Sequence, residues 1–173
     1  MSLKKKIIIC FTVLIAFFTS YSCNKKSSKC LPPITQNGAN TFGCKIDGEI
    51  YAVTGIYESN SVSCGEGNQV LIGFEKSINS SNCDDYINFN DITITLMDSL
   101  QIGNFQLTYF GKNRATAYKT LPTVYYTTDT SHNGGLKITR SDNIIAGTFW
   151  FDAKGNDGTT IHVTDGRFDI TKQ

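Results

Sequence analysis

The chain has 173 residues, of which 18% are charged, and a formal net charge of +1 at pH 7. This length is enough for one domain with a substantial apolar core and too short for two ordinary domains. The near-neutral charge argues against a nucleic-acid partner, because that kind of binding depends on dense positive charge.

The N-terminal residues have the pattern of an export signal. The lysines at positions 4–6 form a positive region, and the apolar run 7–18 ends in small and polar residues just before Cys23. A helix of about 12 residues reaches roughly 18 Å, well short of the ~30 Å hydrocarbon core of a bilayer. Residues 1–22 are therefore predicted to be a cleaved signal peptide, whose removal leaves 151 residues and, with three lysines lost, a formal charge of −2.

Cys23 stands at the expected cleavage point, which favours a bacterial lipoprotein acylated at this residue. The usual lipoprotein box has Leu followed by two small residues before the cysteine, whereas this chain has S-Y-S at 20–22. Ordinary secretion is the alternative. Residues 23–40 are polar, contain Pro32 and Pro33 and lack periodicity, so they are predicted to form a lipidated tether ahead of a domain at 41–173.

The chain contains six cysteines, of which Cys10 lies in the signal segment and Cys23 at the lipid site. In an exported chain the other four are disulfide candidates: Cys30, Cys44, Cys64 and Cys83. If the strands form a meander, Cys44 would pair with Cys83 and Cys30 with Cys64. No C-x-x-C pair occurs and there are two histidines, so no metal site and no cofactor are expected.

Beyond residue 40, short segments of alternating apolar residues recur between clusters of Gly, Asn, Asp and Ser. The alternation predicts half-buried strands that include residues 70–74, 92–96 and 136–138. No stretch of a dozen residues has a 3.6-residue period. Turns are predicted at the glycine-containing runs 47–48, 133–135 and 154–158. The domain is therefore predicted to be all-β.

Two places break the alternation and predict bent strands. The apolar residues of 161–163 and 168–170 lie an odd number of positions apart, so a bulge at 165–166 is needed to keep them on one face. Phe89 is likewise out of phase with 92–96, which predicts a bend at Asn90-Asp91. Such kinks let strands wrap a sandwich or close a barrel. We predict a single-domain antiparallel β-sandwich, with an up-and-down or partly open β-barrel as the alternative.

Aromatic residues are the candidate binding groups. Alternation places Phe149 and Phe151 in the core and Trp150 on the opposite face. An exposed Trp suggests contact with a sugar ring, a peptide or a partner protein, unless a second sheet or the N-terminal segment covers it. Tyr118, Tyr125 and Tyr126 would extend such a binding face, or would be ordinary strand residues.

No residue is predicted to be catalytic. Residues 129–132 contain Asp, Ser and His, the residue types of a nucleophilic triad, but lack a G-x-S-x-G elbow. Residues 152–158 are similar to a calcium loop without its alternating acidic order, so a hairpin turn is the better interpretation. Asp84-Asp85, or Asp165 with Asp169, would serve glycoside hydrolysis only if two carboxyls faced each other across a cleft. Exposed turn acids are the simpler interpretation.

Four segments carry a family resemblance: L-P-P at 31–33, N-T-F-G-C at 40–44, G-T-F-W-F at 147–151 and T-D-G-R-F-D at 164–169. They resemble an uncharacterised family of envelope lipoproteins from Bacteroidota. The resemblance implies lipidation, because lipoprotein boxes in this group are looser, and it implies no activity. Surface-exported lipoproteins of the group often have acidic residues after the lipid cysteine, whereas this chain has Asn24-Lys25-Lys26. That difference favours the periplasmic side of the outer membrane over the cell surface.

Together these features predict a lipid-anchored protein of the bacterial cell envelope that serves as a non-catalytic binding or structural module. Its partners would be the membrane, through the anchor, and a glycan or an envelope protein. Two alternatives stay open, a glycan-active enzyme and a barrel that carries a small apolar ligand. Two carboxyls converging in a cleft would favour the enzyme, and a closed, dry core would argue against the carrier.

Overall fold

The computed structural model describes residues 31–54, 59–64, 70–75, 89–97, 100–109 and 113–172. Within these ranges the regular structure consists of eleven strands, so the all-β prediction is confirmed. The strands are β1 (Thr41–Ile46), β2 (Glu49–Thr54), β3 (Ser59–Cys64), β4 (Val70–Glu75), β5 (Phe89–Leu96), β6 (Gly103–Leu107), β7 (Arg114–Thr120), β8 (Thr123–Thr127), β9 (Gly134–Ser141), β10 (Ile144–Gly155) and β11 (Thr160–Thr171).

The described strands form one antiparallel sheet. Their order is β2-β1-β11-β10-β8-β7-β5-β4-β3, with β9 beside β10 and β6 beside β9. The sheet curls into a half-barrel, so of the two predicted architectures the partly open barrel describes the molecule. The sheet stays continuous because β10 and β11, each of 12 residues, pair along their whole length and link the strands on either side.

The sheet branches at β10. One edge of this strand pairs with β11, while the other edge is shared between two strands. Residues 145–151 pair with β9, and Lys154 and Gly155 pair with β8. As a result β6, β9, β10 and β11 lie side by side and share one outer surface.

Aromatic side chains fill the interior of the half-barrel. The Phe42 ring of β1 stacks on Phe74 of β4 with centroids 3.6 Å apart, and its centroid is 5.4 Å from that of Phe149. Five strands separate β1 from β4 along the sheet, so this contact spans the curl. The Tyr51 hydroxyl on β2 reaches across as well, donating to the carbonyls of Phe74 at 3.3 Å and Asn90 at 3.2 Å. The inner face is therefore a packed core.

The bulge predicted in β11 is confirmed. Phe149 pairs with Gly166 but Phe151 pairs with Val163, which leaves one extra residue in β11 between the two pairs. The same slip occurs against β1. Asp165 has a φ of +53°, the left-handed conformation that accommodates an inserted residue. The apolar residues on both sides of the bulge consequently face the core.

The bend predicted in β5 is confirmed too. Phe89 pairs with Lys119 and Asp91 pairs with Tyr118, so Asn90 is the extra residue. Phe89 is thereby turned inward and is 7% exposed.

The predicted turns have mixed outcomes. The hairpin turn at 47–48 and the turn within 154–158 are confirmed, since the first joins β1 to β2 and the second joins β10 to β11. The turn predicted at 133–135 is wrong, because Gly134 and Gly135 lie in β9. A Cβ at Gly134 would collide with the Trp150 carbonyl and with Phe151. Glycine is therefore needed there for the close approach of β9 to β10.

Residues 31–40, which the sequence assigned to the tether, lie against the outer face of the sheet. The carboxylate of Asp169 on β11 is 1% exposed and accepts hydrogen bonds from the backbone amides of 37–39, at 3.0, 2.8 and 3.2 Å. Burial by itself raises the pKa of Asp169, but the hydrogen bonds from these amides outweigh burial and hold it below its usual value. This segment is therefore bound to the domain.

Further contacts fix the same segment. Pro32 packs over Gly43, where a Cβ would lie 2.5 Å from the proline Cδ. Arg140 Nη1 donates to the carbonyl of Gln36 at 2.5 Å. The start of the predicted tether, at 23–30, lies outside the described residues.

We expect Asp169→Asn to destabilise the domain, because the amide side chain offers the three backbone N–H groups fewer and weaker acceptors. Loss of such buried hydrogen bonds to a charged group costs about 1–3 kcal/mol, or a fall of roughly 2–12 °C in Tm for a domain of this size. Thermal unfolding followed by circular dichroism at pH 7 measures the change. Glu49→Gln, an exposed substitution on β2, is the control.

The Asp169→Asn effect should also depend on pH. A carboxyl with a lowered folded-state pKa contributes its full stability above its unfolded pKa of about 3.9, and loses it as the pH falls through the folded value. The difference between wild type and variant should therefore shrink on acidification below about pH 4. A difference that stays constant down to pH 2 would contradict this role for the carboxylate.

Candidate functional site

Trp150 lies on the outer face of β10, as the alternation predicted. Its side chain is 51% exposed, whereas Phe149 and Phe151 are 3% and 0% exposed. Tryptophan is enriched at contact surfaces, because its large apolar ring also carries a polar N–H group. Trp150 is therefore the starting point for the candidate site.

Strand register surrounds Trp150 with polar side chains. Gln106 of β6 and Trp150 lie on either side of Gly135 of β9 in one row across the strands. The adjacent row runs across the strands through Asn104, Lys137, Thr148 and Arg167. Outward residues that are directly opposed in such a row have Cβ atoms about 4.5–5.5 Å apart. With Asp165, the two rows define what we call the Trp150 surface, whose members are Asn104, Gln106, Gly135, Lys137, Thr148, Trp150, Asp165 and Arg167. Together with apolar residues that include the exposed Ile34, they line an open groove of about 690 Å³.

Gly135 sets the position of the indole. A Cβ on this residue would lie 2.8 Å from Trp150 Nε1 and 3.3 Å from Cε2. The ring therefore leans over Gly135, in space that any other side chain would occupy. This arrangement supports the indole against the sheet and leaves half of its surface open.

The charges on the Trp150 surface do not cancel. Asp165 forms an ion pair with Lys45, with 2.8 Å between Oδ2 and Nζ, and this contact lowers the pKa of Asp165. Arg167 donates to two uncharged acceptors, from Nε to the Asp165 carbonyl at 3.0 Å and from Nη1 to the Pro32 carbonyl at 3.4 Å. Lys137 is exposed and has no ion-pair partner among the described residues. The surface therefore carries an excess of positive charge.

The structure separates the tyrosines that the sequence grouped with Trp150. Tyr126 is 5% exposed and packs 5.7 Å from the ring of Phe89, so it belongs to the core and is not part of an exposed face. Its neighbour Tyr125 is 57% exposed and stacks on Tyr118, with ring centroids 4.6 Å apart. Adjacent residues of a strand face opposite sides, so Tyr125 and Tyr126 cannot both point outward.

Tyr118 and Tyr125 line a second open groove, of about 750 Å³, on the outer side of β7 and β8. Asp91, Asp129 and Lys154 also line it. Burial raises the pKa of Asp91, against the opposing effect of a hydrogen bond from a threonine hydroxyl. The aromatic pair is therefore a distinct feature from the Trp150 surface.

Residues 129–132 form a turn and not a triad. The Asp129 carboxylate accepts the backbone N–H of both Ser131 and His132 at 2.7 Å, and it contacts the imidazole Nδ1 at 3.0 Å. The hydrogen bond from the His132 amide is the leading cause of the lowered pKa of Asp129. The other ring nitrogen faces the Thr160 hydroxyl at 3.5 Å. These contacts place Asp129 as the acceptor that closes the turn.

Of the acids considered for glycoside hydrolysis, Asp84 and Asp85 lie outside the described residues, and the other two have partners. Asp165 is paired with Lys45 on the surface, and Asp169 is buried beneath the N-terminal segment. Asp157, in the run compared with a calcium loop, accepts from the amide and hydroxyl of Thr159. Within the described part of the chain, no group of three or more His, Cys, Asp and Glu side chains is placed to hold a metal ion.

The cysteines are only partly described. Cys44 is a free thiol and is 0% exposed, because it faces the core from the middle of β1. Burial raises the pKa of this thiol, against the lowering effect of the Arg167 charge. The predicted bond from Cys44 to Cys83 is therefore not present in the structure. Cys23, Cys30 and Cys83 lie outside the described residues, and the side chain of the remaining candidate, Cys64, is not described.

The fold and the surface define an all-β half-barrel domain that carries an exposed aromatic platform. Residues 78–170 match the model of a family described as a domain of unknown function, DUF6252. The match covers more than half of the chain, which therefore belongs to the DUF6252 family, and it includes every residue of the Trp150 surface. No curated protein and no solved structure matches the chain.

Sequence reasoning found Trp150 but missed the residues around it. Asn104, Gln106 and Lys137 alternate with apolar neighbours, which marks them as outward-facing on their own strands. Nothing local indicates that β6 pairs with β9 or that β9 pairs with β10. The composition of the surface therefore depends on strand order, which the alternation does not contain.

Trp150 fluorescence should be quenched readily by acrylamide in the free protein, and the measurement is unambiguous because the chain has one tryptophan. Trp150→Ala should leave the Tm nearly unchanged, since the ring is half exposed. Phe149→Ala is the matched control and should cost about 3–5 kcal/mol of unfolding free energy, because it removes a core ring. A quench-resistant Trp150 with a strongly destabilised alanine variant would place the indole in the core.

Proposed function

We propose that the protein is a lipid-anchored lipoprotein of the bacterial cell envelope that binds a glycan, without catalysis, through the Trp150 surface. The observation that carries this proposal is the open indole of Trp150 supported over Gly135 and surrounded by polar side chains. The envelope lipoproteins of Bacteroidota that the sequence resembles, and the periplasmic side of the outer membrane, are the proposed setting.

The chemistry of a sugar ring fits this surface. One face of a pyranose presents C–H bonds, which pack well on an indole, while the ring edge carries hydroxyl groups. Asn104, Gln106 and Thr148 supply amide and hydroxyl groups that donate to and accept from such hydroxyls. A shallow platform with one aromatic ring and several adaptable polar groups is therefore suited to a saccharide.

A peptide ligand is a poorer fit. Around Trp150 the strand is paired with β9 on one edge and, on either side of the bulge, with β11 on the other, so its backbone is occupied by the sheet. A peptide that adds as a strand needs a free edge, and an apolar anchor residue needs a deep pocket. Recognition at Trp150 therefore depends on side chains alone, which favours a glycan over an envelope protein.

Two observations support a binding role over the alternatives. The carboxyls of Asp165 and Asp169, which an enzyme acting on glycans would need to be free, are engaged by Lys45 and by the amides of 37–39. The half-barrel interior is filled by stacked rings such as those of Phe42 and Phe74, which supports a packed core over a ligand cavity.

The sequence supports the lipid anchor. Residues 1–22 have the charge and length of an export signal, and Cys23 follows at the cleavage point. Within the described ranges there is no helix with the length and apolar character needed to cross a bilayer.

Cys23→Ser should release the protein from membranes, because acylation requires the cysteine sulfur and buried acyl methylenes contribute ~0.8 kcal/mol each. Fractionation and labelling with a radioactive fatty acid measure the change. Cys10→Ser, a substitution within the signal segment, is the control and should remain acylated. A Cys23→Ser protein that still sediments with membranes and takes up label would refute the anchor.

The Cys23→Ser protein, probed on an array of immobilised oligosaccharides, tests the binding function. We expect at least one saccharide to be bound, and Trp150→Ala to weaken that binding by about 30-fold or more, the loss typical of an aromatic hot spot. Tyr125→Ala removes an exposed aromatic outside the Trp150 surface and should not change it. Saccharide binding that is equal in wild type and Trp150→Ala would rule out the surface as the site.

A further inference from the structure

We infer that the glycan held at the Trp150 surface is acidic, and that Lys137 and Arg167 bind the carboxylate of a uronic acid residue in it. This inference rests on the proposed glycan-binding function and specifies its ligand class. It follows from the placement of the two cations beside the indole and from the state of the acids nearby.

The two cations flank β10 in a single row. Lys137 of β9 and Arg167 of β11 each pair with Thr148, one on either side. Thr148 is the outward residue two positions before Trp150, so the row lies roughly 7 Å from the indole along the strand. A pyranose is about as wide as one strand spacing of ~4.8 Å. A sugar stacked on Trp150 would therefore hold a ring substituent within reach of both cations.

Neither cation is neutralised by the described part of the protein. Lys137 forms no ion pair there, and the hydrogen bonds of Arg167 go to backbone carbonyls. Those bonds hold the guanidinium in place, and the nearest acid, Asp165, is itself ion-paired with Lys45. Arg donors match the geometry of a carboxylate. An anion bound between Lys137 and Arg167 would offset their positive charges.

The acids next to the Trp150 surface are already paired. Asp165 is bound by Lys45 at 2.8 Å. Asp152, the next outward residue of β10 after Trp150, contacts His162 Nδ1 at 2.7 Å, and this contact is the leading cause of the raised pKa of His162. These acids are therefore paired, whereas Lys137 and Arg167 have no acidic partner among the residues that the structure describes. The electrostatic potential at the Trp150 surface consequently favours an anionic sugar over a neutral one.

The test compares uronate oligosaccharides with their carboxyl-reduced counterparts, which keep the same linkages and lose only the charge. Tetrasaccharides of galacturonate, glucuronate and mannuronate would be titrated into the Cys23→Ser protein by calorimetry. We expect at least one of them to bind, and its reduced form to bind at least 10-fold more weakly. Raising the salt concentration should weaken only the acidic ligand.

Lys137→Gln should weaken binding of the acidic tetrasaccharide by about 5- to 10-fold and binding of the reduced form by less, since it removes one charge from the platform but leaves the Trp150 ring in place. Lys154→Gln is the matched control, because this exposed lysine projects from β10 outside the Trp150 surface. Melting temperatures of both variants would confirm that each remains folded.

The outcomes separate the two proposals. Equal affinity for acidic and reduced ligands, with no effect of Lys137→Gln but a loss with Trp150→Ala, would overturn the acidic ligand and keep the glycan-binding surface. Failure of every acidic tetrasaccharide to bind at millimolar concentration would also overturn the acidic ligand. Binding that persists in Trp150→Ala would instead overturn the proposed function itself.

Discussion

The stacking of Phe42 on Phe74 across the interior is the contact on which the rest of the structure depends. These residues lie on strands separated by five others, so their rings meet only because the sheet curls. The Tyr51 hydroxyl reinforces the contact from β2 by bonding to carbonyls of β4 and β5. Large aromatic side chains contribute more buried apolar area than any others, and placing them at both ends of the sheet makes the curled form the one that buries them.

The curl divides the domain into two faces with different roles. The inner face holds the packed rings, and the outer face carries the polar residues and Trp150. On the outer face the bulge at Asp165 turns β11 so that Phe168 stays in the core while Arg167 and Asp169 point outward. Arg167 belongs to the Trp150 surface, and Asp169 anchors residues 31–40. One inserted residue in β11 therefore positions both a part of the candidate site and the attachment of the N-terminal segment.

Individual residues show which features of the fold the local alternation of apolar and polar residues predicts. The phase changes in β5 and β11 were predictable because a side-chain period of two leaves no other way to keep apolar residues on one face. Trp150 was predictable for the same reason. Tyr126 was misassigned because aromatic character alone does not distinguish the two faces of β8, and Tyr125 is the residue that points outward. Gly134 and Gly135 were read as a turn because glycine signals both a turn and a close approach between strands.

The sequence by itself determined the all-β class, the faces of the individual strands, their bulges and the exposure of Trp150, because each of these follows from the order of apolar and polar residues within one segment. Only the tertiary structure decided that the strands form a half-barrel, that residues 31–40 are bound through Asp169, and that Lys137 and Arg167 stand on either side of Thr148. Those features depend on which strands become neighbours. Strand pairing joins residues far apart in the chain through backbone hydrogen bonds that are alike for every residue type, so it leaves little local trace in the sequence.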